Sequence, residues 1–121
     1  MPTKLITTFE QACEVKGIDP GIYPQVPEDL QKPIIAAAKL IIIINVLNED
    51  WKPNWKDFDE NKYYPWWDMN DSSSPSGFGL DGVTYDYSGS AVGSRLCFKS
   101  EELARYAATQ FEAIYKDYFT I

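Results

Sequence analysis

From Ile34 to Leu47 the chain reads IIAAAKLIIIINVL, apolar at nearly every position and without a polar helical face. A helix that is apolar all round has no place on the surface of a soluble domain, so the rest of the chain has to cover it on several sides. Pro33 has no backbone N–H to donate, which sets the start of the regular helix close to it, after a single turn at residues 28 to 31. The expectation is a central buried helix over about 34–48. The apolar run from Pro33 to Leu47 holds 15 residues and spans roughly 22 Å, short of the ~30 Å hydrocarbon core of a bilayer. It reads as a core helix and not as a membrane span. Lys39 is expected to snorkel to water and Asn45 to find a backbone partner.

Helical and strand patterns flank this element. Thr7 and Thr8 each precede Glu or Gln by three residues, the spacing of a capping box. Phe9, Ala12, Cys13 and Lys16 then share a face and Gly17 is a stop, giving a first helix near 8–16. IDPGIYPQVPED is a turn-rich connector. Lys62 to Met69 reads as a strand, DMNDSSSPSG as a flexible loop, and Val83, Tyr85 and Tyr87 alternate with polar residues as in a half-exposed strand. Residues 92–99 alternate again, which predicts a three-stranded antiparallel sheet. Ser100 is a good N-cap, Glu101 and Glu102 suit the helix dipole, and Leu103, Tyr106, Ala107, Phe111, Ile114 and Tyr118 follow helical spacing. A single long helix of about 101–118 follows. The fold class is α+β: three helices on a small three-stranded antiparallel sheet, in a single domain over 1–121.

The net charge of −7, from 18 acidic and 11 basic residues, opposes direct binding to nucleic acid or to an anionic membrane. Two cysteines, Cys13 and Cys97, are too few for a disulfide scaffold and read as small packing residues in a reduced cytoplasm. Met1 to Glu10 has no apolar signal core.

The chain has no histidine, which removes the usual general base, the Ser–His and Cys–His pairs and the commonest zinc ligand. No phosphate-cradling glycine motif opens a helix. Asp57, Asp59, Asn61, Tyr63 and Asp68 imitate the spacing of a calcium loop, yet Lys62 stands where the sharp turn needs Gly, Pro65 intrudes and Asp replaces the bidentate Glu. The stretch therefore reads as a solvated acidic turn, with no metal and no cofactor, and the chain is not read as an enzyme. A carboxylate pair working as acid and base is the remaining catalytic option.

All four tryptophans lie in WKPNWKDFDENKYYPWW, where 7 of 17 residues are aromatic. Trp and Tyr are rigid, amphipathic and enriched at recognition hot spots. Trp51, Trp55 and Phe58 directly follow the apolar helix and are expected to cover it. Trp66 and Trp67 are adjacent, so on a strand they point to opposite faces and only one can enter a shared core. Arg95 falls on the strand face opposite Leu96 and Phe98, where an ion pair with Asp86 across the hairpin competes with ligand binding. The candidate contact residues are Tyr64, Trp66, Trp67, Tyr85, Tyr87 and Arg95.

FEQACEVKGIDP, KYYPWWDM, SGFG and VGSRLCFKSEELARYAATQFEAIYKDYF together resemble a family of small proteins from phages and prophages of gut Bacteroidales, including crAss-like phages. The likeness covers most of the chain and is most specific from Val92 to Phe119. It implies no activity, substrate or catalytic residue; it implies a context, a phage accessory protein in the bacterial cytoplasm or carried in a virion. The leading expectation is a non-enzymatic protein whose aromatic and acidic surface engages a host or phage protein. The alternatives are a binder of a small nucleotide-like ligand, sequestering a nucleotide-derived immune signal, and a carboxylate-based enzyme. Self-association through an exposed aromatic patch is open as well.

Overall fold

Capping chemistry sets the helix ends. In a computed structural model that describes residues 5–121, α1 (Phe9–Lys16) begins where the Thr8 hydroxyl accepts the Gln11 N–H. The Gln11 side-chain oxygen reaches back to the Thr7 N–H at 2.7 Å, so the capping box closes one residue further out than its simplest form. Gly17 ends the helix in the left-handed region, φ 71°.

α2 (Glu28–Leu47) runs straight through Pro33, a correction to the expected start. The lost hydrogen bond is to the carbonyl of Asp29, an exposed residue that water can serve, so the proline is tolerated in the second turn. Two further expectations change with it. At 20 residues α2 is long enough and apolar enough, by length and composition, to cross a bilayer, which removes the length argument drawn from the sequence. Its burial is also one-sided. Ala36, Leu40, Ile43, Ile44 and Leu47 are buried, whereas Leu30 and Ile34 are exposed and Ala37, Ala38 and Ile41 only half covered. Lys39 places its ammonium 5.3 Å over the Phe9 ring, and Asn45 takes the Lys16 ammonium at 2.6 Å rather than a backbone group.

β1 (Lys62–Asp68) and β2 (Gly79–Asp86) form a two-stranded antiparallel sheet, with an extra β2 residue, Asp81, between the pairs Trp66–Gly82 and Trp67–Leu80. The predicted third strand is reduced to one bridge, Tyr63 with Phe98, at 3.0 and 2.7 Å. Its upstream residues are spent on a turn: Gly93 sits at φ 76° and the Ser90 hydroxyl accepts the Val92 and Gly93 N–H groups. Between the strands, the serine loop is closed on itself by the Asp71 N–H on the Gly77 carbonyl at 2.8 Å.

The long C-terminal helix divides into α3 (Glu101–Gln110) and α4 (Glu112–Phe119), because Phe111 leaves helical geometry at φ −115°, ψ 28°. Apolar spacing is blind to a one-residue break, since the same face stays inward on both sides of it: Ala107, Ala108 and Phe111 before, Tyr115 after. Ser100 caps α3 by accepting the Leu103 N–H at 3.2 Å. One core draws on α1 (Phe9, Cys13), α2, Trp67, Phe78, Phe98, α3 and Tyr115. Cys13 and Cys97 are both free and buried, and burial pushes the Cys97 thiol up to about 11.

Candidate binding surfaces

Alternation along β1 separates the two neighbouring tryptophans. Trp67 enters the core, 7% exposed, stacked 4.5 Å from the Phe78 ring and 5.1 Å from Tyr115. Trp66 faces out at 53%. Tyr64 shares its side of the strand yet is buried, its hydroxyl 3.4 Å from an Asp86 carboxylate oxygen; burial first, and then Asp86, raise its pKa. Tyr85 and Tyr87 are exposed. Tyr85 pairs with Tyr63 in the sheet and so stands on the face opposite Trp66, and Tyr87 packs edge-on to Phe58.

Trp66 and Met69, both exposed, line an apolar groove of about 200 Å³ together with Trp67, Phe119, Ala91 and Val92. No carboxylate lines this groove among the described residues. Asp81 shares a second hollow with Trp66. Met69, Val92 and Phe119 were not among the expected contact residues, because position at the end of a strand, of an alternating run or of a helix does not by itself mark a side chain for contact.

The loop between α2 and β1 is built around a lysine. Lys62 is completely buried, and its ammonium donates to the carbonyls of Asn54 at 2.7 Å, Asp57 at 3.0 Å and Tyr87 at 3.1 Å. Glu60 supplies a carboxylate oxygen at 3.4 Å and the Trp55 ring lies 5.2 Å away. The chain thus presents to its own ammonium the ring of oxygens that a cation loop presents to a metal. Asp57 contributes its carbonyl and not its carboxylate, which accepts the Asp59 N–H at 3.0 Å. Asp68 ends the opposite end of β1 from Lys62, about 20 Å along the strand, so the calcium-like spacing does not converge. Of the aromatics expected to cover α2, Trp51 and Trp55 are half-buried and Phe58 is exposed, held outward by the loop that Lys62 organises.

Arg95 is brought to Trp51 and not to Trp66. The expected ion pair with Asp86 does not form: Asp86 is engaged by Tyr64 and by the Ala91 N–H at 3.1 Å. Arg95 instead lines a cleft of about 330 Å³ together with Trp51, Lys52, Ser94 and the α2 residues Ile41 and Asn45. Asn48, buried at the end of α2, fixes its two walls. Its amide donates to the Cys97 carbonyl at 2.9 Å and accepts the Lys99 N–H at 3.1 Å. Trp55 Nε1 adds a bond to the Ser94 hydroxyl at 2.8 Å. The other lip begins with Glu49 and Asp50, consecutive non-glycine residues at φ 52° and 64°. Left-handed backbone costs about 1–2 kcal/mol per residue, so this turn is held by the packing on either side of it.

Comparison with protein-family models, with curated proteins and with solved structures finds no match to the chain. What the protein does has therefore to be argued from these two surfaces.

Proposed function

We propose that the chain is a non-enzymatic phage accessory protein that engages a host or phage protein through the groove lined by Trp66 and Met69. The observation that carries this reading is the pair of neighbouring tryptophans: one is stacked into the core and the other is left 53% exposed beside an apolar hollow. An exposed Trp with a groove at its foot has the make-up of an interface hot spot. With a net charge of −7 and Asp81 beside Trp66, the matching partner presents an apolar anchor flanked by basic side chains. Such a partner would be met in the bacterial cytoplasm, the setting that the resemblance to phage proteins implies.

The test is capture from Bacteroidales lysate by the intact protein, by Trp66→Ser and by Tyr23→Ser, a change at an exposed tyrosine elsewhere. One defined protein retained by wild type and Tyr23→Ser and lost with Trp66→Ser supports the reading. Equal capture by all three, or recovery of the chain itself as the only retained protein, refutes it.

A further inference from the structure

We propose that the cleft between α2 and the Ser94–Arg95 turn is a separate binding site for a small anion carrying a planar ring, of the size of a nucleoside monophosphate. In a chain of net charge −7, the charged residues lining this cleft are Lys52 and Arg95, with no carboxylate among the described lining residues. Neither cation has an ion-pair partner among the described residues. The acids nearest in sequence are engaged elsewhere: Glu49 with Lys99 at 3.1 Å and Asp50 with Lys16 at 3.9 Å. The charged lining of this cleft is therefore positive where the whole molecule is negative, and Arg and Lys supply the donors that phosphate and carboxylate need.

Unspent polar groups agree in sign. The Asn45 side-chain oxygen is taken by Lys16, leaving its NH₂ to donate. The Ser94 oxygen accepts from Trp55, leaving its O–H to donate. Donors are thus at hand beside the two cations, which suits an acceptor-rich ligand. Trp51 and the aliphatic side chain of Ile41 provide apolar wall for a ring. A volume of about 330 Å³ lies at the small end of ligand pockets, room for one ring and one anionic group.

The backbone beside the cleft is strained as well. Glu49 and Asp50 hold left-handed backbone immediately before Trp51 and Lys52, two residues that line the cleft. Strain of this kind gathers at binding sites, where it fixes side chains in advance of a ligand.

The test is titration of the full-length protein with 5′-nucleoside monophosphates, followed by calorimetry and by quenching of tryptophan fluorescence. Inorganic phosphate and the free nucleosides serve as half-ligands. The expected result is saturable binding of the monophosphate, tighter than either half-ligand and weakening as salt rises. Lys52→Gln and Arg95→Gln, both at exposed positions, are each expected to weaken it about tenfold, and Trp51→Ala to abolish the quenching. Trp66→Ser is expected to leave it unchanged, which keeps this site distinct from the protein-binding groove. No binding up to millimolar nucleotide overturns the proposal. So does binding that survives Lys52→Gln combined with Arg95→Gln, or binding no tighter than that of inorganic phosphate.

Discussion

Lys62→Met isolates the interaction on which the whole aromatic loop depends. Methionine is unbranched and one heavy atom shorter than lysine, so the change removes the charge and the donors while keeping most of the apolar stem. What it strands is polar: the carbonyls of Asn54, Asp57 and Tyr87 and the Glu60 carboxylate, all of which converge on the ammonium at 2.7 to 3.4 Å. An ion pair can be replaced by apolar groups at little cost when both partners go, but here the partners are mostly backbone and cannot be removed. Breaking a buried charge interaction from one side costs about 3–5 kcal/mol. Against a typical domain stability of about 5–15 kcal/mol, that is a large fraction, and it corresponds to a fall in Tm of about 10–20 °C at this size. Urea unfolding followed by tryptophan fluorescence measures it directly, because Trp51 and Trp55 lie in the affected loop. Lys56→Met, at an exposed lysine of the same loop, is the control and is expected within about 0.5 kcal/mol of wild type. A Lys62→Met protein within about 1 kcal/mol of wild type would refute the view that this ammonium organises residues 51–62.

Three further outcomes follow from the packing of the core and its caps. Asn48→Ala removes both bonds that pin the Cys97–Lys99 backbone to α2 and should cost about 2–3 kcal/mol in urea unfolding; a loss below about 0.5 kcal/mol contradicts that role. Trp67→Ala opens the stacked cluster of Phe78 and Tyr115 and should cost about 3–5 kcal/mol, whereas Trp66→Ser should leave Tm nearly unchanged, so equal losses from the two would show that the faces are misassigned. The third concerns alkaline pH. Burial holds the Cys97 thiol up to about 11, against 9.0 for a free thiol, and burial also raises the phenol of Tyr115. Between pH 9 and about 11 the unfolded chain releases a thiol proton that the folded chain keeps. That contribution is therefore complete below pH 9 and declines across the window, by up to ~1.4 kcal/mol per pH unit for one group. Urea midpoints that stay constant from about pH 8.5 to 10.5 would contradict it.

Three of the helix ends were legible because caps are local chemistry. Thr8, Gly17 and Ser100 act within a turn of where they stand, and no distant residue has to cooperate. The opposed faces of Trp66 and Trp67 were legible for a similar reason, since the two-residue strand period is a property of the backbone. The third strand was not. Residues 92–99 alternate as a strand does, but alternation describes side chains, and the backbone donors there are taken by the Ser90 hydroxyl and the Gly93 turn. The division at Phe111 was hidden because both halves keep one face inward. Of the candidate contact residues, Trp66 and Tyr64 line one groove and Arg95 another, because the pinning of residues 97 and 99 by Asn48 carries Arg95 to the end of α2.

The apolar run Ile34–Leu47 determined by itself that a long helix would dominate this fold, since its residues have no other favourable way to leave water. How far they leave it was decided only in three dimensions. α1 and α4 and the loops reach one side of α2, while Leu30 and Ile34 stay exposed and Ile41 becomes wall for a cleft. Sequence composition reports what a segment would prefer to bury. Which of those residues are covered is a property of the assembled molecule, and the same assembly sets Lys62, an ordinary charged residue on paper, at the closed centre of the loop that lines the Arg95 cleft.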